Sequence, residues 1–131
     1  MNWNETYMQI AELISNHSYA KRKKVGAILV KQNRIISIGY NGTPSGFDNI
    51  CEIDGLTKME VLHAESNCIS KCARSNENTE GSDMYVTLSP CVECAKLIIQ
   101  CGISNVYFKY KYRDISGLEL LKKAKIKYYE I

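Results

Sequence analysis

Two short motifs, His63-Ala64-Glu65 and Pro90-Cys91-Val92-Glu93-Cys94, constrain this chain more than any other feature. Their side chains are metal-ligating and proton-transferring types, and they lie on separate segments, so a fold that uses them together must bring two segments to one point. Each motif falls at the predicted start of a helix, and the second directly follows a strand-like run. A helix N-terminus offers unpaired N–H groups and the positive end of the helix dipole, which favours thiolates. Cys91 and Cys94 are three apart, so both side chains reach one face of a first helical turn. Pro90 fixes how the chain enters that turn. With His63 adding a nitrogen from the neighbouring helix, three protein ligands leave the fourth tetrahedral position of a zinc ion open, as catalytic sites do. Zinc held this way lowers the pKa of a bound water toward neutrality. Glu65, two residues past His63, is close enough to exchange protons with such a water without being a ligand.

Each piece alone has a plainer reading. Cys-x-x-Cys serves redox chemistry or half of a structural zinc site, and Cys68 and Cys72, four apart on a helix, are candidates for the other half. A four-cysteine site leaves His63 and Glu65 without a role, and Cys68 and Cys72 also read as small buried helix residues. The start, Met1-Asn2-Trp3-Asn4-Glu5, lacks the charged-then-apolar pattern of a signal peptide, so a cytoplasmic location is expected and a disulfide framework among the six cysteines is not.

The rest of the chain alternates between helical and strand-like periods. Trp3, Tyr7, Ile10, Ile14 and His17 recur at helical spacing, then Val25–Val30 and Ile35–Tyr40 read as strands around a Gln32-Asn33 turn. Both runs are apolar on both faces, which predicts a sheet covered on two sides. Asn41 to Asp54 reads as a loop, Met59 to Arg74 as a helix, and Met84–Leu88 as a strand. Cys91–Cys101 reads as a helix with Gly102 placed to cap its end. Val106–Phe108 is a strand, Ile115–Ala124 a helix and Ile126–Tyr129 a last strand. The order α-β-β-α-β-α-β-α-β predicts a single α/β domain over residues 1–131, a three-layer α/β/α sandwich around a mixed sheet of about five strands.

Charge narrows the partners. The net charge of +3 suits a small phosphorylated ligand and falls short of the basic footprint of a nucleic-acid binder. Every apolar run is interrupted by Lys, Arg, Asn or Glu, so no membrane span is expected. The run Lys21-Arg22-Lys23-Lys24 reads as a solvated face that a phosphate can still reach.

His-x-Glu followed by Pro-Cys-x-x-Cys is the signature of zinc deaminases. The chain resembles the dCMP deaminases of the cytidine deaminase superfamily from about Ser18 to Arg113. The resemblance is carried by Ser18 with Arg22, Val25-Gly26-Ala27-Ile28, and Gly39-Tyr40-Asn41-Gly42-Thr43-Pro44-Ser45-Gly46. It continues through His63-Ala64-Glu65-Ser66-Asn67-Cys68 and Tyr85 to Lys96. The zinc motifs identify the superfamily, and the Gly-Tyr-Asn-Gly-Thr-Pro loop narrows it to the dCMP branch.

The resemblance implies a cytidine deaminase-like fold and hydrolytic attack at C4 of cytosine, giving dUMP and ammonia, with Glu65 moving the protons. It implies one zinc on His63, Cys91 and Cys94, the Ala64 N–H on the base O2, the Ser89 carbonyl on the amino group, and Asn41 on the sugar. Tyr112, Arg113 and Arg22 are candidates for the phosphate end, with surface cations as the plainer reading. The resemblance further implies a homohexamer activated by dCTP and inhibited by dTTP with Mg2+, using Tyr40, Gly42, Thr43 and Pro44. A related deaminase acting on dCTP, cytidine or another base is the alternative within the superfamily. Outside it, the alternatives are a zinc-stabilised binding module and a thiol redox protein.

Overall fold

The computed structural model describes all 131 residues. The first helix, α1 (Trp3–Ser15), begins where the Asn2 side chain accepts a hydrogen bond from the Glu5 N–H, satisfying a donor the helix itself cannot. It buries Tyr7, Met8 and Ala11, with Ile10 and Ile14 alongside. The buried stripe is rotated from the one the periodicity marks: Trp3 is 69% exposed, and His17 lies exposed beyond the helix end.

Strands β1 (Gly26–Lys31) and β2 (Arg34–Tyr40) form an antiparallel hairpin. Gln32 (φ 53°) and Asn33 (φ 60°) both sit in the left-handed region, the two-residue turn that matches strand twist. The remaining main-sheet strands are β5 (Asp83–Leu88), β6 (Asn105–Tyr110) and β7 (Lys127–Glu130), in the order β2-β1-β5-β6-β7. β1 pairs antiparallel with β5, and β5, β6 and β7 are parallel, so the sheet is mixed. The parallel pairs are joined through α3 (Val92–Gln100) and α4 (Ser116–Lys123), as parallel strands require. Gly102, at φ 80°, ends α3: its N–H donates to the Ile99 carbonyl and that of Ile103 to the Ile98 carbonyl.

The strands feed two cores by simple alternation. Ala27, Leu29, Met84, Val86, Val106 and Phe108 pack with the helices α2 (Ala64–Ala73), α3 and α4. Ile28, Val30 and Tyr85 pack with α1 on the other face. Three α/β/α layers result. Two-sided cover holds for β1, which is buried through Val30. It fails for β2, an edge strand whose Arg34, Ile35 and Ile38 are exposed. No helix is long and apolar enough to cross a membrane.

Two segments depart from the periodicity. The stretch expected as loop contains β3 (Glu52–Ile53), paired with β4 (Leu56–Thr57) through a tight turn at Asp54 (φ 53°) and Gly55 (φ 76°). The second helix starts at Ala64 and not near Met59, which is 98% exposed. The reason is local: Leu62 exchanges two backbone hydrogen bonds with Gly42, which holds the chain extended up to His63.

At Gly39 the backbone of α2 lies directly on β2. A Cβ there would sit 2.5 Å from the Cys68 nitrogen and 2.7 Å from the Ala64 carbonyl oxygen. Gly39→Ala is therefore expected to cost about 2–3 kcal/mol by overpacking. That corresponds to a fall of roughly 10 °C in melting midpoint by calorimetry. An unchanged midpoint would show that α2 can move away freely.

Candidate active site

The site lies where β5 and β6 end, at Leu88 and Tyr110, which are paired across the parallel sheet. Crevices beyond the carboxyl ends of parallel strands are the usual ligand positions of α/β sheets. Two helices start here. Cys91 is the extended N-cap of α3 (φ −74°, ψ 173°), and His63 is the extended N-cap of α2 (φ −71°, ψ 158°). Neither cap side chain bonds back to its own helix, so both remain free to face each other. Gly117 at the start of α4 packs on the backbone of Pro90 and Cys91 and fixes that corner from outside.

His63 Nδ1 is 3.3 Å from Cys94 Sγ and 3.5 Å from Cys91 Sγ, and the three ligand atoms all lie within 4.8 Å of one another. Zinc–nitrogen and zinc–sulfur bonds of ~2.0 and ~2.3 Å at tetrahedral angles require N···S edges of about 3.5 Å. The two N···S edges therefore match those a tetrahedral ion would require. The Cys91 thiol is held down to about 3 by hydrogen bonds from Cys94 and His63. Cys94 is pushed up because it donates its proton to Cys91 and is buried. His63 is raised by its hydrogen bond to Cys91.

Glu65 is only 4% exposed, and burial pushes its carboxyl up to about 7 against the hydrogen bond from its own N–H and the charge of His63. A carboxyl tuned near neutrality both takes and returns protons under ordinary conditions.

A cavity of about 610 Å³ opens onto these groups, a size suited to a small organic ligand. His63, Ala64, Glu65 and Cys91 line it together with Asn41, Ser89, Arg22, Tyr112 and Arg113, so the metal-ligating and substrate-contact candidates converge. Lys23, Lys111 and Glu52 line it as well. Arg22, Lys23, Lys111 and Arg113 are solvent-exposed and make its open side basic.

Two polar residues frame the cavity. Ser89 is buried; its N–H donates to the Tyr110 carbonyl (2.9 Å), and its Oγ accepts from the Tyr112 N–H (2.7 Å), which directs Tyr112 and Arg113 along the cavity wall. The Asn41 side chain accepts from the Val25 N–H (2.8 Å) and donates to the Lys23 carbonyl (2.7 Å), while its own carbonyl accepts from Ser18 Oγ (2.7 Å).

The residues expected at an effector site stand apart. Tyr40, Gly42, Thr43 and Pro44 do not line the cavity. Tyr40 lies beside His17 and under Lys71, and Thr43 donates to the Asp48 carbonyl inside its own loop. Cys68 and Cys72 belong to the core under α2, and burial drives the Cys68 thiol up to about 12. They supply no ligands to Cys91 and Cys94.

Lys111 carries a sequence signal only through its adjacency to Tyr112-Arg113. Lys23 is marked in the sequence only as part of the Lys21-Arg22-Lys23-Lys24 run. Glu52 carries no signal, because it falls in the Asn41–Asp54 stretch that reads as loop.

Comparison with known proteins agrees with this geometry. Residues 1–110 match the family described as the cytidine and deoxycytidylate deaminase zinc-binding region. The chain is 40% identical to human deoxycytidylate deaminase over 128 residues, covering 87% of this chain and 68% of that protein. It is 36% identical to ComE operon protein 2 of Bacillus subtilis over 118 residues, covering 86% of this chain and 62% of that one. The crystal structure of a dCMP deaminase from the cyanophage S-TIM5, in complex with dCMP and dUMP, superposes with a TM-score of 0.97 at 44% identity, covering 100% of this chain and 99% of that one.

Metal analysis of the purified protein is expected to find about one zinc per chain, the stoichiometry of a single three-ligand site. Cys94→Ala should abolish most of it while leaving intact the main core cluster, to which Cys94 does not belong. Full zinc in that variant would place the metal elsewhere.

Proposed function

This chain belongs to the cytidine and deoxycytidylate deaminase family, and from that premise we propose that it converts dCMP and water to dUMP and ammonia. One observation carries the reading: an open three-ligand centre with a buried glutamate beside it lines a cavity whose solvent side is basic. The similarity to human deoxycytidylate deaminase and to the S-TIM5 dCMP deaminase favours a 5′-monophosphate substrate.

His63, Cys91 and Cys94 would hold zinc, which when bound supplies the Lewis acidity that makes water nucleophilic at neutral pH. Glu65 takes one proton from the attacking water and delivers it to N3 of the ring, then takes the proton of the resulting C4 hydroxyl and passes it to the departing amine, so that both protons come from the one water and C4 is left as the carbonyl. Its burial excludes bulk water from those transfers. The Ala64 N–H donates to the base O2, the Ser89 carbonyl accepts from the exocyclic amino group, and Asn41 contacts the sugar. Arg113 and Arg22, with Tyr112 alongside, meet the phosphate on the basic side of the cavity. A guanidinium matches a phosphate with two parallel hydrogen bonds.

Regulation is part of the reading. dCTP with Mg2+ activates and dTTP inhibits a homohexamer, with Tyr40, Gly42, Thr43 and Pro44 at the effector site. What supports this is the family resemblance and the position of that loop, which pairs with Leu62 immediately before His63. A change in the loop reaches His63 through one hydrogen-bonded residue pair and one peptide bond.

Two measurements test the proposal. Ammonia release from dCMP, dCTP, cytidine and deoxycytidine is expected to be selective for dCMP, raised by dCTP and lowered by dTTP. Preference for another substrate would overturn the reading of the phosphate contacts, and indifference to the triphosphates would remove the regulation. Glu65→Gln is expected to keep zinc and fold and lose roughly 10²–10⁴-fold in kcat, the span of a general acid–base group. Undiminished turnover in that variant would rule out the mechanism.

A further inference from the structure

We infer that Glu52 is a positioning residue for phosphate recognition, acting through Arg22. The inference rests on the proposed dCMP reading and adds a residue to it.

Arg22 lies in the irregular segment between α1 and β1, where no strand partner sets its backbone. The N–H groups of Lys21 and Arg22 have no backbone acceptor. Both donate instead to one oxygen of Glu52, Oε2, at 2.9 and 3.3 Å. Glu52 reaches them from β3, thirty residues on, and itself lines the cavity beside Arg22 and Lys23.

On the other side of Arg22, the Asn41 amide grips the Lys23 carbonyl and the Val25 N–H. Arg22 is thus held between two clamps, one from the β3–β4 hairpin and one from the end of β2. The Glu52 contact is the one that reaches the Arg22 N–H directly.

The chemistry explains the choice of residue. A carboxylate beside a phosphate site opposes anion binding by its charge, which neutral backbone donors do not remove, so its contribution here is geometric. Here its oxygen is occupied by two backbone donors, so it organises the basic segment without forming an ion pair with any of its cations. The tight Asp54-Gly55 turn behind it fixes the hairpin that carries it. A guanidinium set in register with a phosphate binds it with two parallel hydrogen bonds, and one that must first be ordered loses affinity to that ordering.

The test is a double-mutant cycle in dCMP kinetics, with zinc content and melting midpoint recorded for every variant. Glu52→Ala is expected to raise KM about tenfold with kcat within about twofold, the pattern of lost uniform binding. Glu52→Met, which keeps the length and removes the acceptor, should match it. Glu52→Gln, whose amide oxygen still accepts both N–H groups, should stay within about threefold of wild type. In an Arg22→Ala background, Glu52→Ala should add less than about twofold, because its effect passes through Arg22.

The inference is overturned if Glu52→Ala leaves KM unchanged, if Glu52→Gln fails as badly as Glu52→Ala, or if the two losses add. A wild-type protein that turns over no dCMP overturns the proposed function and this inference together. Normal wild-type turnover with additive losses overturns the inference alone.

Discussion

The meeting of two helix N-termini beyond the ends of β5 and β6 is the constraint on which the rest of this structure depends. His63 caps α2 and Cys91 caps α3, and their ligand atoms approach within tetrahedral-edge distance. That approach requires α2 to lie flat on the sheet and α4 to back the Pro90–Cys91 corner. Gly39 and Gly117 provide the room, since a Cβ at either position would strike backbone. The parallel pairing of β5 with β6 then brings the 110–113 segment over the same point.

Around that centre the chain uses backbone clamps more than side-chain contacts. Ser89 ties the exit of β6 to the exit of β5, Asn41 ties the end of β2 to the start of β1, and Glu52 ties a small hairpin to the basic segment. Each clamp fixes a loop that carries a cavity-lining cation. A site built this way keeps its cations in solvent, where they cost little to hold, while the framework that aims them is hydrogen-bonded and partly buried.

The sequence was legible where a local rule acts alone. Helical spacing located α1, α3 and α4, and Gly102 marked the end of α3. The candidate metal-ligating group His63, Cys91 and Cys94 and the neighbouring Glu65 stand out because residue type, spacing and helix position agree. Legibility failed where distant pairing overrides local preference. Met59 to Leu62 reads as helix, but Leu62 is captured by Gly42, so α2 starts later. Asp54-Gly55 is a good hairpin turn, yet strands of two residues each leave no periodicity to recognise. Glu52 is hidden for that reason, and Trp3 falls on the expected buried face because helical spacing alone does not say where the sheet ends.

The most direct test of the central claim is to follow dCMP turnover in ¹⁸O-labelled water. Hydrolytic deamination predicts dUMP carrying the label at C4, with ammonia released in equal amount and both lost when the zinc is removed. Unlabelled product, or consumption of dCMP without ammonia, would contradict the account.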